Sequence, residues 1–363
     1  MRIAGFVNAG TSTSFQLELS NAVNRYTNAE VTVVSFYDDS VDDMDEDVAA
    51  FDIEFLCLGA DSRFDVSAYR RLREVLPEYD ILHTHYNAVG SFGRLSSLGH
   101  DITIVNTEHN DHQYFSHLQN VTNAASYPLI DAYITNSDST RQSLQWYERP
   151  LLWRSQVETI YNGIDMKRIA DARKRSDIPS LPVGLRIVTA ATLTNQKNLE
   201  PLIRSMRLVR QRHPEAHLVV VGDGPKRDAL ERTAHRAGVS DMVTFLGYLP
   251  EREQVYAVLD RCDIFAVTSH YEGFCNAAVE AMACELPVVA SDIAVLREVV
   301  GDGGRFVDQT EPTNIASALM SLLSNPEERT KVGETGAERA RRKFSLEQCA
   351  REYYRLYQNL SWD

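Results

Sequence analysis

Short apolar runs alternate with longer amphipathic ones along almost the whole chain, the pattern of βαβ units built on a mostly parallel sheet. Strands are expected at RIAGFV (2 to 7), EVTVVSFY (30 to 37), IEFLCL (53 to 58), DILHTH (80 to 85), TIVNTEH (103 to 109), AYITNS (132 to 137) and VETIYN (157 to 162). Amphipathic segments such as SFQLELSNAVNRY and VSAYRRLREVLPEY fall between them. The scheme begins afresh at LRIVTAATL (185 to 193) and runs on through HLVVVGDG (217 to 224), MVTFLG (242 to 247), IFAVTS (264 to 269), PVVASD (287 to 292) and GRFV (304 to 307). The pattern predicts two doubly wound α/β units in tandem. Between them DARKRSDIPSLPVG (171 to 184) has two prolines and little periodicity, which marks a hinge. Residues 1–175 and 184–340 are the expected domains. SLEQCAREYYRLYQNL follows Phe344 as a strongly amphipathic helix with no strand behind it, so residues 341–363 are expected to cross back to the first domain.

Composition adds limits. A length of 363 residues suits two cores. No apolar run is long enough for a spanning helix, and MRIAGFVNAG reads as a strand rather than a signal peptide, so a soluble, cytoplasmic chain is expected. Five cysteines form no CxxC pair, which speaks against a disulfide framework or zinc ribbon. A net charge of −14 argues against a nucleic-acid partner. There are 31 arginines against six lysines, with 26 aspartates, the surface expected of a halophilic protein kept apart by charge in concentrated salt.

In open α/β sheets, ligands bind beyond the carboxyl ends of strands, where helix N-termini offer N–H groups to anions. Gly10-Thr11-Ser12, His109, Asn162-Gly163, Lys197 and Glu272 all stand at such places. In SHYEGFCNAAVEAMACELPVVASD (269 to 292), Glu272 and Glu280 flank seven residues. A carboxylate pair can serve acid/base chemistry, a metal or sugar hydroxyls, and can also be a solvated helix end. With a helix from about Asn276 through Met282, Glu272 lies on the loop and Glu280 in the second turn. A shared metal is therefore a poor fit. The N–H groups of Cys275, Asn276 and Ala277 suit a diphosphate, and the flanking carboxylates suit hydroxyls.

Other features carry two readings each. His109, His112 and His117 have a spacing that can mimic metal ligands, although no metal site is expected. His83 and His85 are expected to divide, one packing inward and one facing the cleft. YDDSVDDMDED (37 to 47) contains DxD patterns but reads better as a solvated loop, and GDGP (222 to 225) fits a strand-to-helix turn. WYERPLLWR (146 to 154) is either a peripheral membrane contact or core packing at a helix-to-strand turn.

The segment E-G-F-x-N-x-x-x-E-A-M-A followed by PVVASD resembles the E-x7-E signature of retaining glycosyltransferases of family 4. HTHYNA (83 to 88), NTEHN (106 to 110), ITNSDSTRQSL (134 to 144), YNGID (161 to 165), TLTNQKN (192 to 198), VVVGDGPKRDAL (219 to 230) and VTFLGYLP (243 to 250) extend the resemblance, in the family's order, over nearly the whole chain. It implies the GT-B fold, two Rossmann-like doubly wound domains facing across a cleft, with acceptor bound by the first and nucleotide sugar by the second. It assigns Glu280 to the donor ribose, Glu272 and His109 to the transferred sugar, and Lys197 to the diphosphate beside the backbone of Phe274, Cys275 and Asn276. Gly10 would touch the phosphates, and Leu249 and its neighbours the base. The implied reaction is metal-independent and cofactor-free transfer, with retention, from a nucleoside diphosphate sugar to a glycan or lipid-linked acceptor.

The chain departs from the family at three places. Ala191-Thr192 stands where Gly-Arg is common, which leaves the phosphate clamp to Lys197 and the helix dipole, with Arg94 or another cation in support. Gly10-Thr11 replaces two glycines, and Glu285 replaces a glycine in a change expected to be harmless. A nucleotide-sugar epimerase of the same architecture and a non-catalytic nucleotide-sugar binder are the alternatives.

Overall fold

The computed structural model of the chain describes residues 1–11, 14–44, 48, 51–85 and 88–360. Ser12, residues 86–87 of HTHYNA and residues 45–47 of the acidic run thus lie outside the described residues. The chain forms two units, Met1–Gly163 with Leu346–Asp363, and Ile164–Ser345. The segment 171 to 184 falls inside the second of them.

The first unit is a seven-stranded parallel sheet of β1 (Arg2–Val7), β2 (Glu30–Ser35), β3 (Glu54–Cys57), β4 (Ile81–His85), β5 (Thr103–Glu108), β6 (Ala132–Thr135) and β7 (Gln156–Thr159), in the order β3-β2-β1-β4-β5-β6-β7. Its helices are α1 (Phe15–Tyr26), α2 (Val66–Val75), α3 (Ala88–Ser96), α4 (His117–Ala124) and α5 (Asp138–Ser143). Central strands are covered on both faces, so β1 is buried from Ile3 through Val7, as a parallel sheet requires. Phe6, Val34, Phe36, Leu72 and Leu82 pack on one face, and Ile3, Leu19, Val23, Ile81 and Ile134 on the other.

The second unit repeats the plan with six parallel strands, β8 (Arg186–Ala190), β9 (His217–Val221), β10 (Val243–Gly247), β11 (Ile264–Val267), β12 (Val288–Ser291) and β13 (Gly304–Val307), ordered β10-β9-β8-β11-β12-β13. Its helices are α6 (Met166–Ala172), α7 (Leu199–Val209), α8 (Arg227–Ala237), α9 (Arg252–Leu259), α10 (Asn276–Ala283), α11 (Ala294–Val300), α12 (Pro312–Ser324) and α13 (Pro326–Lys343). The last helix, α14 (Leu346–Leu360), belongs to the first unit. Leu346, Cys349, Ala350, Tyr353, Leu356 and Tyr357 recur every three or four residues and form one buried stripe among α1, Ile81 and Ile134.

Two expectations change here. His83 and His85 do not divide between core and cleft, because residues two apart on a strand share a face. Both are buried, at 3% and 2% exposure, with ring centroids 4.2 Å apart. Glu285 adopts φ +64°, the left-handed conformation that favours glycine, so that substitution carries backbone strain. Its carboxylate is 2.9 Å from Arg341 in partial compensation.

Candidate active site

In the second unit, the loops after β8 and β11 are stitched together before any site residue is considered. His270 donates its backbone N–H to the Gln196 carbonyl at 2.8 Å, Gln196 Nε2 donates to the Tyr271 carbonyl at 3.0 Å, and Thr268 Oγ1 donates to the Asn198 carbonyl at 3.0 Å. Lys197 and Glu272 ride on these loops. Lys197 Nζ lies 2.6 Å from Glu272 Oε1, and Ser269 Oγ donates to the same oxygen at 2.6 Å. Burial works against the ammonium charge, but the Glu272 carboxylate outweighs it and raises the lysine above its ordinary pKa. The result is a fixed, permanently charged cation beside the start of α10.

Cys275 caps that helix in the left-handed conformation, φ +78°, which turns the chain from loop into helix. Burial, reinforced by the Glu272 charge and opposed by Lys197, pushes its thiol up to about 12, so it is neutral and a weak nucleophile. Phe274 is buried with its ring edge on Phe344, centroids 5.4 Å apart. Glu280, one turn inside α10, is 2% exposed and accepts a hydrogen bond from the Arg252 guanidinium, which also lies over the Tyr256 ring. Leu249 is buried just beyond β10, and Thr192 is exposed on the β8 loop.

The first unit places Gly10 and His109 beyond β1 and β5. Gly10 donates its N–H to Asp38 Oδ2 at 2.6 Å, and a Cβ there would come within 2.4 Å of Met44 Sδ. Asp38, the second residue of the acidic run, therefore shapes the first loop rather than only facing solvent. His109 is held through backbone and ring, its N–H by Glu108 Oε1 at 2.9 Å, its carbonyl by Asn136 Nδ2 at 3.1 Å, and its Nε2 by His85 Nδ1 at 3.0 Å. Burial lowers its pKa to about 4 against the pull of Glu108, leaving a neutral ring.

Behind His109 lies a buried ionic network. His112 Nδ1 is 2.9 Å from Glu148 Oε2, and its Nε2 is 3.3 Å from Glu108 Oε2. Burial alone would lower the His112 pKa, but hydrogen bonds and charge from Glu108 and Glu148 raise it to about 10. His112 is thus committed to two carboxylates, and His117 packs its ring on Tyr147, centroids 5.7 Å apart. Among the described residues, no group of three His, Cys, Asp or Glu side chains is placed to hold a metal ion.

Comparison with known proteins gives this geometry a context. Residues 175–339 match the family described as glycosyl transferases group 1, and residues 15–168 match glycosyltransferase family 4. A D-inositol 3-phosphate glycosyltransferase of Xylanimonas cellulosilytica is 30% identical over 313 residues, which span 77% of this chain and 72% of that protein. The chain belongs to glycosyltransferase family 4. It is also 27% identical over 219 residues, 59% of this chain and 54% of the relative, to a Mycobacterium tuberculosis protein named a GDP-mannose-dependent alpha-(1-6)-phosphatidylinositol dimannoside mannosyltransferase. The crystal structure of Anabaena HepE with UDP and glucose shares the fold at a TM-score of 0.82 and 18% identity, covering 99% of both chains. This glycosyltransferase therefore has the GT-B fold.

Two of the site residues foreseen in the glycosyltransferase, Lys197 and Glu272, meet directly, while Glu280 pairs instead with Arg252. Arg94 does not support the phosphate clamp. It is fully buried in the first unit, with Nη1 2.6 Å from Asn106 Oδ1, Nη2 2.8 Å from Asn123 Oδ1 and Nε 3.0 Å from Ser126 Oγ. Every donor of that guanidinium is taken by neutral side chains, so it ties β4, β5, α3 and α4 together. Trp146 and Trp153 are 82% and 76% exposed, which corrects the core-packing reading for both, whereas Leu152 is buried. Sequence reasoning passed over Arg252, Glu148, Ser269 and the His85 contact to His109. Of these, only Ser269 lies close enough in sequence to its partner to have given a signal.

Proposed function

We propose that this glycosyltransferase moves a hexosyl-type group from a nucleoside diphosphate sugar to a hydroxyl of a glycan or lipid-linked acceptor, with retention of configuration and without a metal. The observation that carries the reading is the Lys197–Glu272–Ser269 cluster at the amino end of α10. A leaving diphosphate gains negative charge in the transition state, and a cation held beside helix N–H groups stabilises that charge in advance. Glu272, anchored by Ser269, keeps Lys197 charged and offers its carboxylate to sugar hydroxyls. Glu280, aimed by Arg252, serves the ribose.

A glycosyl–enzyme bond is not part of this reading: the Cys275 thiol is held neutral, and Glu272 Oε1 is already engaged by both Lys197 Nζ and Ser269 Oγ. Attack on the same face of the sugar as the departing phosphate, with that phosphate taking the acceptor proton, accounts for retention. HepE was crystallised with UDP and glucose, and the M. tuberculosis relative is named for GDP-mannose and phosphatidylinositol dimannoside, which supports a nucleotide-sugar donor and a lipid-linked acceptor here. The product anomer, read by proton NMR in the presence of EDTA, tests the reading: the donor's own anomeric configuration is expected, and inversion or loss of turnover to EDTA overturns it.

The tryptophans favour a second, compatible reading in which the enzyme works at the cytoplasmic face of a membrane. Trp146 and Trp153 stand out from the surface, and Arg154 lies over the Trp153 ring at 5.6 Å. Among the described residues, no helix is long and apolar enough to cross a bilayer. Trp146→Ser with Trp153→Ser is expected to abolish sedimentation with anionic vesicles, and unchanged sedimentation removes the membrane contact.

A further inference from the structure

The ends of β4 and β5 lie side by side, with His85 opposite Thr107 in register. His83 and His85 share one face of β4, and Thr107 lies on the corresponding face of β5. His83 Nδ1 is 2.8 Å from the Tyr357 hydroxyl and its Nε2 is 2.8 Å from Thr107 Oγ1, which is in turn 2.9 Å from the Tyr353 hydroxyl. Both tyrosines come from α14. His83 lies against His85, and the His85 ring stacks on His109 with centroids 5.2 Å apart and planes at 29°. A continuous row of side chains thus runs from the C-terminal helix to the histidine assigned to the donor sugar.

We propose that His85 is a positioning residue that fixes the tautomer and ring orientation of His109. A bond between two neutral imidazoles holds one proton. If His85 Nδ1 donates, His109 carries its own proton on Nδ1; if His109 Nε2 donates, His109 Nδ1 is an acceptor. The shared proton therefore couples the tautomer of His109, and with it the donor or acceptor character of His109 Nδ1, to that of His85. Burial lowers the pKa of His85 well below the ordinary histidine value, which keeps the pair uncharged near neutrality. The bracing by Tyr357, Tyr353 and Thr107 keeps His83, and through it His85, from rotating.

The proposal deepens the functional reading, because His109 matters to turnover only if it contacts the donor. The test uses the full chain with ring-15N-labelled histidine, His109 being assigned by the signals lost in His109→Gln. One neutral tautomer of His109 is expected in the native chain. His85→Leu is expected to give an averaged tautomer mixture, and His85→Asn, which keeps a polar atom close to the position of Nδ1, to restore the native pattern. His85→Ser, too short to bridge the gap, replaces the leucine variant should that one not fold. Donor turnover is expected to fall about tenfold in kcat, with KM held within about twofold, in the Leu variant and to recover in the Asn variant. Unchanged His109 ring signals on removal of His85 overturn the proposal. Unchanged turnover in His109→Gln would instead overturn the role of His109 and leave the His85 contact standing.

Discussion

The two units solve opposite problems with the same fold. In the second, Lys197 is kept charged by its pairing with Glu272 at the end of the sheet, with the lysine side chain 23% exposed and the carboxylate buried. In the first, His109 is kept neutral, its ring gripped by another neutral histidine, while the charged groups Glu108, His112 and Glu148 are buried behind it. Under the proposed function the difference follows from what each unit would meet, a diphosphate beside Lys197 and a sugar hydroxyl beside His109. A diphosphate needs a cation that no pH change near neutrality can discharge, whereas a sugar hydroxyl needs a hydrogen-bonding atom in a fixed place.

The largest effect should come from removing the charged pair. Glu272→Ala is expected to lower kcat/KM for the donor by about a hundredfold or more, since it removes the proposed sugar contact and leaves Lys197 without its carboxylate partner. Melting within a few degrees of the native chain would show that the loss is functional. Activity near the native level would place the chemistry elsewhere.

Next in size is the hidden network. Glu148→Gln leaves protonated His112 with only Glu108, and breaking a buried pair in this way costs about 3 kcal/mol. The pH dependence sharpens the contrast. The folded pKa of His112 is raised to about 10, above the ordinary 6.5, so its contribution to stability is complete below about 6.5 and is lost as pH rises through 10. Denaturation profiles should show the native chain losing more stability between pH 7 and 10 than Glu148→Gln does. Parallel profiles would show that the network carries no linked proton.

Arg252→Gln should act more gently and on binding. Without the Arg252 guanidinium the buried Glu280 carboxylate loses the partner that aims it at the ribose hydroxyls, so UDP or GDP affinity measured by calorimetry should fall about tenfold. Unchanged affinity would separate Glu280 from the ribose. Smallest is Glu285→Gly, which relieves a left-handed residue at the cost of the Arg341 contact and should raise stability by about 0.5 kcal/mol. A decrease in stability would mean that the ion pair outweighs the strain.

Much of this architecture can be read from sequence because period and position encode it. The apolar runs at RIAGFV, HLVVVGDG and IFAVTS place their strands within a few residues, and the turn at EGF with the alanine-rich run after it locates α10. What escaped is set by neighbours in space. Arg94 has the sequence context of a free cation, yet the neutral groups that bury it come from Thr84, Asn106, Asn123 and Ser126. Arg252 lies 28 residues from Glu280, and Glu148 lies 36 from His112, so no local spacing links either pair. The expected division of His83 and His85 between core and cleft fails because a two-residue step on a strand keeps the face.

Under the proposed function a nucleoside diphosphate leaves from the Lys197 end of α10. That departure is tested most directly by incubating the native chain and Lys197→Ala with UDP-glucose, UDP-N-acetylglucosamine and GDP-mannose and measuring free nucleotide. At least one donor should be consumed by the native chain and about a hundredfold more slowly by the variant. Equal rates in the two, or a sugar epimerised with no nucleotide released, would contradict the account.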